Sequence, residues 1–201
     1  FKTNVAPYLT RASTATYRSY DGTLTTALDD EPRYQYAAPF PSTNATRLIE
    51  SSVTNNASNT TYNATFMTWT AATTTGPDNV ANSAGTATTD ASNNNHFIGN
   101  SLLPNVTIGQ YYCLSAFVKY ASGSQYVQLA ATASAANLNF YVNYDISTGV
   151  QTFAGAAVIS SGIEAYTGGW YRIWGVFQAI AGGGGTACIV ASIPASGSSR
   201  L

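Results

Sequence analysis

An all-β fold, a jelly-roll β-sandwich preceded by an extended N-terminal arm, is what this sequence predicts, and three observations predict it. The first is the stretch Gly168-Gly169-Trp170-Tyr171-Arg172-Ile173-Trp174, a φ-permissive glycine turn that leads straight into a strand. On that strand Trp170, Arg172 and Trp174 share one face, and Tyr171 and Ile173 share the other. The second is an upstream run of the same kind, Tyr111-Tyr112-Cys113-Leu114-Ser115-Ala116-Phe117-Val118-Lys119. The third is the regular spacing of short strand signals and turn residues from residue 96 onward, with no window of helical periodicity.

Composition sets the bounds. A chain of 201 residues can bury one full sandwich core, or one domain plus an arm. Hydrophobic residues make up 45%, an ordinary share, but charged residues only 8% against roughly 25% in an average domain. Solubility therefore rests on hydroxyls and amides. The net charge is −1 and no basic stripe is visible, which argues against nucleic acid as a partner. No apolar run approaches the roughly twenty residues that span a bilayer. The chain opens on Phe1 without a recognisable signal peptide, as a processed chain or one that lacks an upstream part would.

Charge also marks the first boundary. Ten of the seventeen charged residues fall within residues 1–50, along with four of the seven prolines. This segment reads as an extended arm with turns, including a reversal at Asp21-Gly22 between Tyr17-Arg18-Ser19-Tyr20 and Thr23-Leu24-Thr25. Such an arm either docks onto another chain or covers one edge of its own sandwich. The sandwich then occupies residues 51–201. Within it, residues 51–95 read as loop or a short strand with long connections, apart from Phe66-Met67-Thr68-Trp69. The N-x-Ser/Thr triplets at Asn44, Asn56, Asn59, Asn63 and Asn105 are what chance gives in so Asn- and Thr-rich a chain.

Strands are expected near 96–99, 111–119, 125–131, 138–145, 150–153, 157–164, 170–178 and 186–193. Pro104-Asn105, Ser122-Gly123, Ser147-Thr148-Gly149, Gly168-Gly169 and Gly182 to Gly185 separate them. The expected core is Tyr112, Leu114, Ala116, Val118, Val127, Leu129, Phe140, Val142, Ile163, Ile173, Val176, Ile189 and Ile193. Cys113 and Cys188 both sit in expected strands, where cysteines are more often small buried hydrophobes than bridged, and their spacing excludes a CxxC motif.

Several blocks carry a resemblance. Gly109-Gln110-Tyr111-Tyr112 through Ser115 to Val118-Lys119 is similar to the G-x-x-Y-x-x-S-x-y-V-K strand of carbohydrate-binding-module-like jelly rolls in phage structural proteins. Asp145-Ile146-Ser147-Thr148-Gly149-Val150 resembles their D-l-x-T-G-x-v turn, and Ile163-Glu164 with Gly169-Trp170-Tyr171-Arg172 resembles their I-E…G-W-Y-R block. Trp69 with Gly76-Pro77-Asp78 is similar to their W…a-P-D-G opening, with Asn79 where that family usually has glycine. Leu9 to Tyr17, Asp21-Gly22, Glu31-Pro32-Arg33-Tyr34 and Leu48-Ile49-Glu50 resemble a segment that precedes this jelly roll in tailed-phage virion proteins. The pieces are short, and their order gives them specificity across most of residues 9–178. The resemblance implies a place on the virion surface, in tail fibres, tail-associated proteins or head decorations.

Site chemistry is sparse. Glycan hydrolysis needs two opposed carboxylates, and the sandwich offers Asp78, Asp90, Asp145 and Glu164. Asp145 lies in a turn where Asp caps its own backbone, and Glu164 is placed to pair with Arg172 across strands. His96 is the sole histidine, so a metal site built on histidines is excluded, and no G-x-S-x-G elbow supports a triad. No cofactor is implied. Structural calcium is the weaker expectation, on Asp78, Asp90 and neighbouring amides. Tyr120, Tyr126, Tyr141 and Tyr144 could form a stacking platform for sugar rings, although packing or a subunit interface weighs more for tyrosines in strands.

Together these observations predict a non-enzymatic phage virion structural protein, a decoration or appendage subunit on the particle surface. Arg11, Tyr17, Glu31 and Arg33 belong to its anchoring arm, and Asp145, Glu164, Trp170, Tyr171 and Arg172 form its structural motif. Its partners would be other virion proteins and copies of itself, since low charge suits dense repetition, and no membrane is expected. The alternative is a tail-fibre receptor-binding module that grips host surface glycan through the tyrosines.

Overall fold

Alternation with period two gives the body of the molecule its strands, and the pairing of those strands gives it two layers. The computed structural model describes residues 15–27, 34–36, 38–42, 45–47, 63–100, 106–131, 139–182 and 188–201. In chain order the strands are β1 (Ala15–Arg18), β2 (Leu24–Ala27), β3 (Tyr34–Tyr36), β4 (Ala45–Arg47) and β5 (Asn63–Thr65). They continue with β6 (Met67–Thr74), β7 (Ala84–Thr89), β8 (His96–Asn100), β9 (Tyr111–Lys119) and β10 (Tyr126–Ala131). The last are β11 (Tyr141–Asp145), β12 (Val150–Ala154), β13 (Ser160–Ala165), β14 (Trp170–Gln178) and β15 (Cys188–Ser192). The described residues contain no α-helix, hence none long and apolar enough to cross a membrane.

One sheet has the order β12-β11-β10-β15-β8-β5 and the other β13-β14-β9, and the pairings within them are antiparallel. Late strands pair with early ones, β14 with β9 and β15 with β8, while β10, β11 and β12 follow one another in one sheet of the β-sandwich. Between the layers lie Leu114, Leu129, Phe140, Val142, Tyr144, Ile173 and Phe177. Tyr112, Ala116, Val118, Val127 and Ile163 pack around them.

Two expected core positions differ. Val176 is half-buried on the outer face, and Phe177 takes the inward place at 0% exposure. The inward series on β14 is Ile173, Gly175, Phe177, and Gly175 breaks its apolar pattern because Phe140 and Val142 already fill the space beside it. Ile189 is half-buried beside the inward Val190, whereas Ile193 is buried as expected, at 1% exposure. Strand ends moved as well: Asn139 and Phe140 lie before β11, and residues 157–159 lie outside β13, which starts at Ser160.

Residues 51–95 hold more order than expected. β6 and β7 pair as a ribbon, with a register shift between Thr70 and Thr74. Threonine supplies the β-branching that this polar segment needs to extend. At its turn Asn79 adopts φ 59°, the left-handed region that glycine favours and asparagine tolerates.

The hairpin β1-β2 reverses at Asp21-Gly22, as the sequence predicts. Gly22 has φ 86°, and a Cβ there would stand 2.7 Å from the Phe40 ring. This part of the arm packs on its own sandwich. The Leu24 amide donates to the Pro77 carbonyl at 2.9 Å, and the Thr167 amide to the Gly22 carbonyl at 2.9 Å.

Candidate functional site

The structure concentrates buried polar chemistry on the outer face of the six-stranded sheet. Tyr126, Gln128 and Ala130 of β10 alternate outward while Val127 and Leu129 point into the core. On β11 the outward residues are Tyr141, Asn143 and Asp145, and the inward ones Val142 and Tyr144. Gln128 and Asn143 face each other in register and are 1% and 0% exposed. Two buried amides in mid-sheet require partners. The C-terminal segment folds back to provide them. Asn143 Nδ2 donates to the carbonyls of Ser196 at 3.1 Å and Ser198 at 2.8 Å. Gln128 Nε2 donates to the Ser199 carbonyl at 3.1 Å, and the Leu201 amide returns a bond to Gln128 Oε1 at 3.1 Å. Arg200 caps the ladder end by donating to the Phe140 and Ala131 carbonyls.

The four tyrosines expected to form one platform do not. Tyr144 is 0% exposed in the core, where its hydroxyl donates to the Trp174 carbonyl at 2.7 Å. Burial pushes its pKa far up. It points inward because its register partner is the inward Val127. Tyr141 stacks on Phe153 at a centroid distance of 5.5 Å. Tyr126 lies four ladder positions away, opposite Asp145, roughly 13 Å along the strand. It lines an open groove of about 380 Å³ with Gly123, Ser124, Gln125 and Pro194. Tyr120 reaches the same loop, its hydroxyl donating to the Gly123 carbonyl at 3.4 Å.

The structural-motif residues are engaged within the fold. Asp145 Oδ1 accepts from the Ser147 amide and hydroxyl and from the Thr148 amide, and Oδ2 accepts from Gln125 Nε2 at 3.0 Å. The Ser147 hydroxyl is the main reason that its carboxyl titrates below the ordinary range. The turn then closes at Gly149, which lies against the Tyr171 ring. Glu164 and Arg172 stand opposite each other, with Oε2 and Nη1 3.6 Å apart. Trp170 is buried and donates from Nε1 to the Thr75 carbonyl at 3.1 Å. A cleft of about 100 Å³ beside it is lined by Thr75, Gly76, Asn79, Lys119, Thr167 and Gly168.

Asp78 and Asp90 sit beyond opposite ends of β7, whose six residues extend roughly 20 Å, so they do not converge on one calcium ion. Asp78 accepts from the Val80 amide and the Ser83 hydroxyl. Asp90 accepts from Ser92 and lies 2.9 Å from His96 Nε2. Among the described residues no group of three or more His, Cys, Asp or Glu side chains could hold a metal. Cys113 is a free thiol on the outer face of its sheet and exposed, which corrects its reading as a buried hydrophobe.

Of the arm residues, Arg11, Glu31 and Arg33 lie outside the described residues, and Tyr17 is half-buried on β1. Its neighbour Arg18, not singled out from the sequence, makes the principal contact. The guanidinium donates to the carbonyls of Tyr36 and Ala165, both at 2.7 Å. It lies 5.3 Å from the Phe40 ring centroid and 5.2 Å from that of Tyr166. The sequence signal available was an arginine among tyrosines, but its two acceptor carbonyls are distant in the chain. No protein-family model matches this chain, and no curated protein matches it.

Proposed function

We propose that this chain is a non-enzymatic structural protein of a tailed-phage virion, displayed on the particle surface as a decoration or appendage subunit and tethered by residues 1–50. The Arg18 clamp is the observation that carries the reading. A tether works only if load on it reaches the body, and Arg18 joins β3 and the end of β13 through charge-assisted bonds and two aromatic faces. The ordered sequence blocks supply the virion context. Their residues at Asp145, Glu164, Trp170, Tyr171 and Arg172 are committed to turn, cross-strand and packing contacts, which is what a scaffold requires. Gold-labelled antibodies against residues 96–201, applied to intact particles, test it. Label on head or tail is expected, and particles without label would overturn the reading.

The groove beside Tyr126 favours a second reading, adhesion to host surface glycan. The Tyr126 ring, the Gln125 amide and the Ser124 hydroxyl border an open cleft large enough for a sugar ring. Tyr126→Ala with Tyr120→Ala should then reduce adsorption of the particle to cells. Unchanged adsorption would leave the structural role alone.

A further inference from the structure

Lys119 is the last residue of β9 and stands opposite Trp170 in the ladder. Its Cε lies 3.8 Å from where a Cβ on Gly169 would stand, so its stem runs beside the glycine turn. Among the described residues Arg18, Arg172 and Arg200 are engaged within the fold, whereas the Lys119 ammonium has no hydrogen bond or ion pair. It borders the cleft of about 100 Å³ beside Trp170 and is the one charged side chain among the described residues that line it. Thr75, Asn79 and Thr167 line it as well, and their two hydroxyls and one amide have no hydrogen-bond partner among the described residues. Asn79 holds φ 59°, where glycine fits with less strain, and thereby brings an amide that glycine would lack. The walls are fixed before any ligand arrives. Trp170 Nε1 donates to the Thr75 carbonyl at 3.1 Å, and the Thr167 amide to the Gly22 carbonyl at 2.9 Å.

We infer that this cleft binds the carboxylate of an acidic sugar, a hexuronic-acid unit, with Lys119 as its counter-ion. The volume equals roughly three water molecules, room for a carboxylate and the ring edge that bears it, while the rest of the sugar stays in the open mouth. One ammonium balances one carboxylate, whereas a phosphate dianion calls for further cations or for the forked donors of arginine. The two hydroxyls and the amide match the hydroxyls that flank a uronic carboxylate, and an aspartate or glutamate side chain would leave them unused. Trp170, 7% exposed, closes the inner wall with an apolar surface that keeps water from one side of the ion pair and so weakens screening. The inference rests on the adhesion reading and deepens it, adding an acidic glycan at a cleft that shares no lining residue with the Tyr126 groove.

The test titrates the full chain, labelled with ¹⁵N, with methyl β-glucuronide and, in separate arms, with methyl β-glucoside and sodium acetate. The glucuronide is expected to shift the NMR signals of the Lys119 and Gly168 amides and of the Trp170 indole N–H. Lys119→Gln should weaken binding about tenfold, as the loss of one charge-assisted bond does. Asn79→Gly, which suits the same backbone conformation, should weaken it about threefold. On the unsubstituted chain binding should fall as sodium chloride is raised. No shift with the glucuronide, an equal response to the neutral glucoside, or unchanged affinity in Lys119→Gln overturns the inference. Acetate that binds as tightly as the glucuronide also overturns it, because the cleft would then take any carboxylate, acidic peptide side chains included. Should a variant fail to fold, the salt dependence and the glucoside arm of the unsubstituted chain decide, and binding indifferent to salt overturns the inference. The purified chain is read without cells. This binding can therefore fail while Tyr126→Ala with Tyr120→Ala still lowers adsorption, or hold while adsorption is unchanged, so the two failures are distinguishable.

Discussion

The side-chain amide of Gln128 donates to Asn143 Oδ1 at 2.9 Å, joining two buried polar groups across the neighbouring strands β10 and β11. That pair turns a sheet face from a plain exterior into a recognition surface for backbone carbonyls. Similar satisfaction of buried polar atoms recurs elsewhere, and each instance makes a measurable statement.

Tyr144→Phe removes the hydroxyl that bonds the Trp174 carbonyl while keeping the ring in the core. The carbonyl loses a buried donor, so the expected loss is about 1–3 kcal/mol of folding stability. Urea unfolding followed by fluorescence should show a lower midpoint with an unchanged slope. A midpoint equal to that of the unsubstituted chain would sink this account of Tyr144.

Gly162 lies beneath the Trp174 indole, where a Cβ would stand 2.8 Å from Cζ2. Gly162→Val must displace that ring, at a cost of about 1–3 kcal/mol, typical of overpacking. The tryptophan emission maximum should shift to the red as the indole moves outward. Unaltered emission and stability together would mean that the ring has free room.

Arg18→Met retains the aliphatic stem but loses the bonds to Tyr36 and Ala165 and the cation over two rings. Charge-assisted bonds of this kind are worth about 1.5–3 kcal/mol each. The loss should fall on the arm. Chymotrypsin is expected to cut at Tyr17 or Tyr20 several-fold faster while the body's melting temperature moves little. Equal cleavage rates would refute the clamp.

Asp21, Asp90 and Asp145 all titrate below the ordinary value of 3.8, chiefly because the hydroxyls of Ser19, Ser92 and Ser147 bond their carboxylates. A depressed folded pKa means that the unfolded chain binds protons first as pH falls. Stability from these groups is therefore fully present above the unfolded pKa and lost as pH drops through the folded values. Thermal scans should show a steady midpoint from about pH 7 to 5 and a decline below about pH 4. Asp145→Asn should remove part of that decline, and a midpoint that rises on acidification would contradict the sign.

Much of the body was legible from the chain. The limits of β9 and β14 coincide with the predicted 111–119 and 170–178, because both runs are rich in aromatic and aliphatic residues and each follows a glycine turn. The ribbon β6-β7 escaped notice because threonine reads as polar loop by composition and as strand by branching. The sequence favours Val176 over Phe177 as the inward residue because Gly175 gives no apolar signal at an inward position. By sequence Tyr144 fits either a platform or packing, because a tyrosine in a strand carries no local mark of which face it takes.

By itself the sequence determined that this protein would be all β and where the strands β9 and β14 run. Period-two alternation and turn chemistry are local properties, and a few consecutive residues suffice to express them. Only the tertiary structure decided that Arg18 would reach Ala165, that Tyr144 would face the core, and that Ser196 to Leu201 would lie on Gln128 and Asn143. Those pairings join residues far apart in the chain. A buried amide or guanidinium finds its acceptor only after the sheets have stacked and excluded water around it.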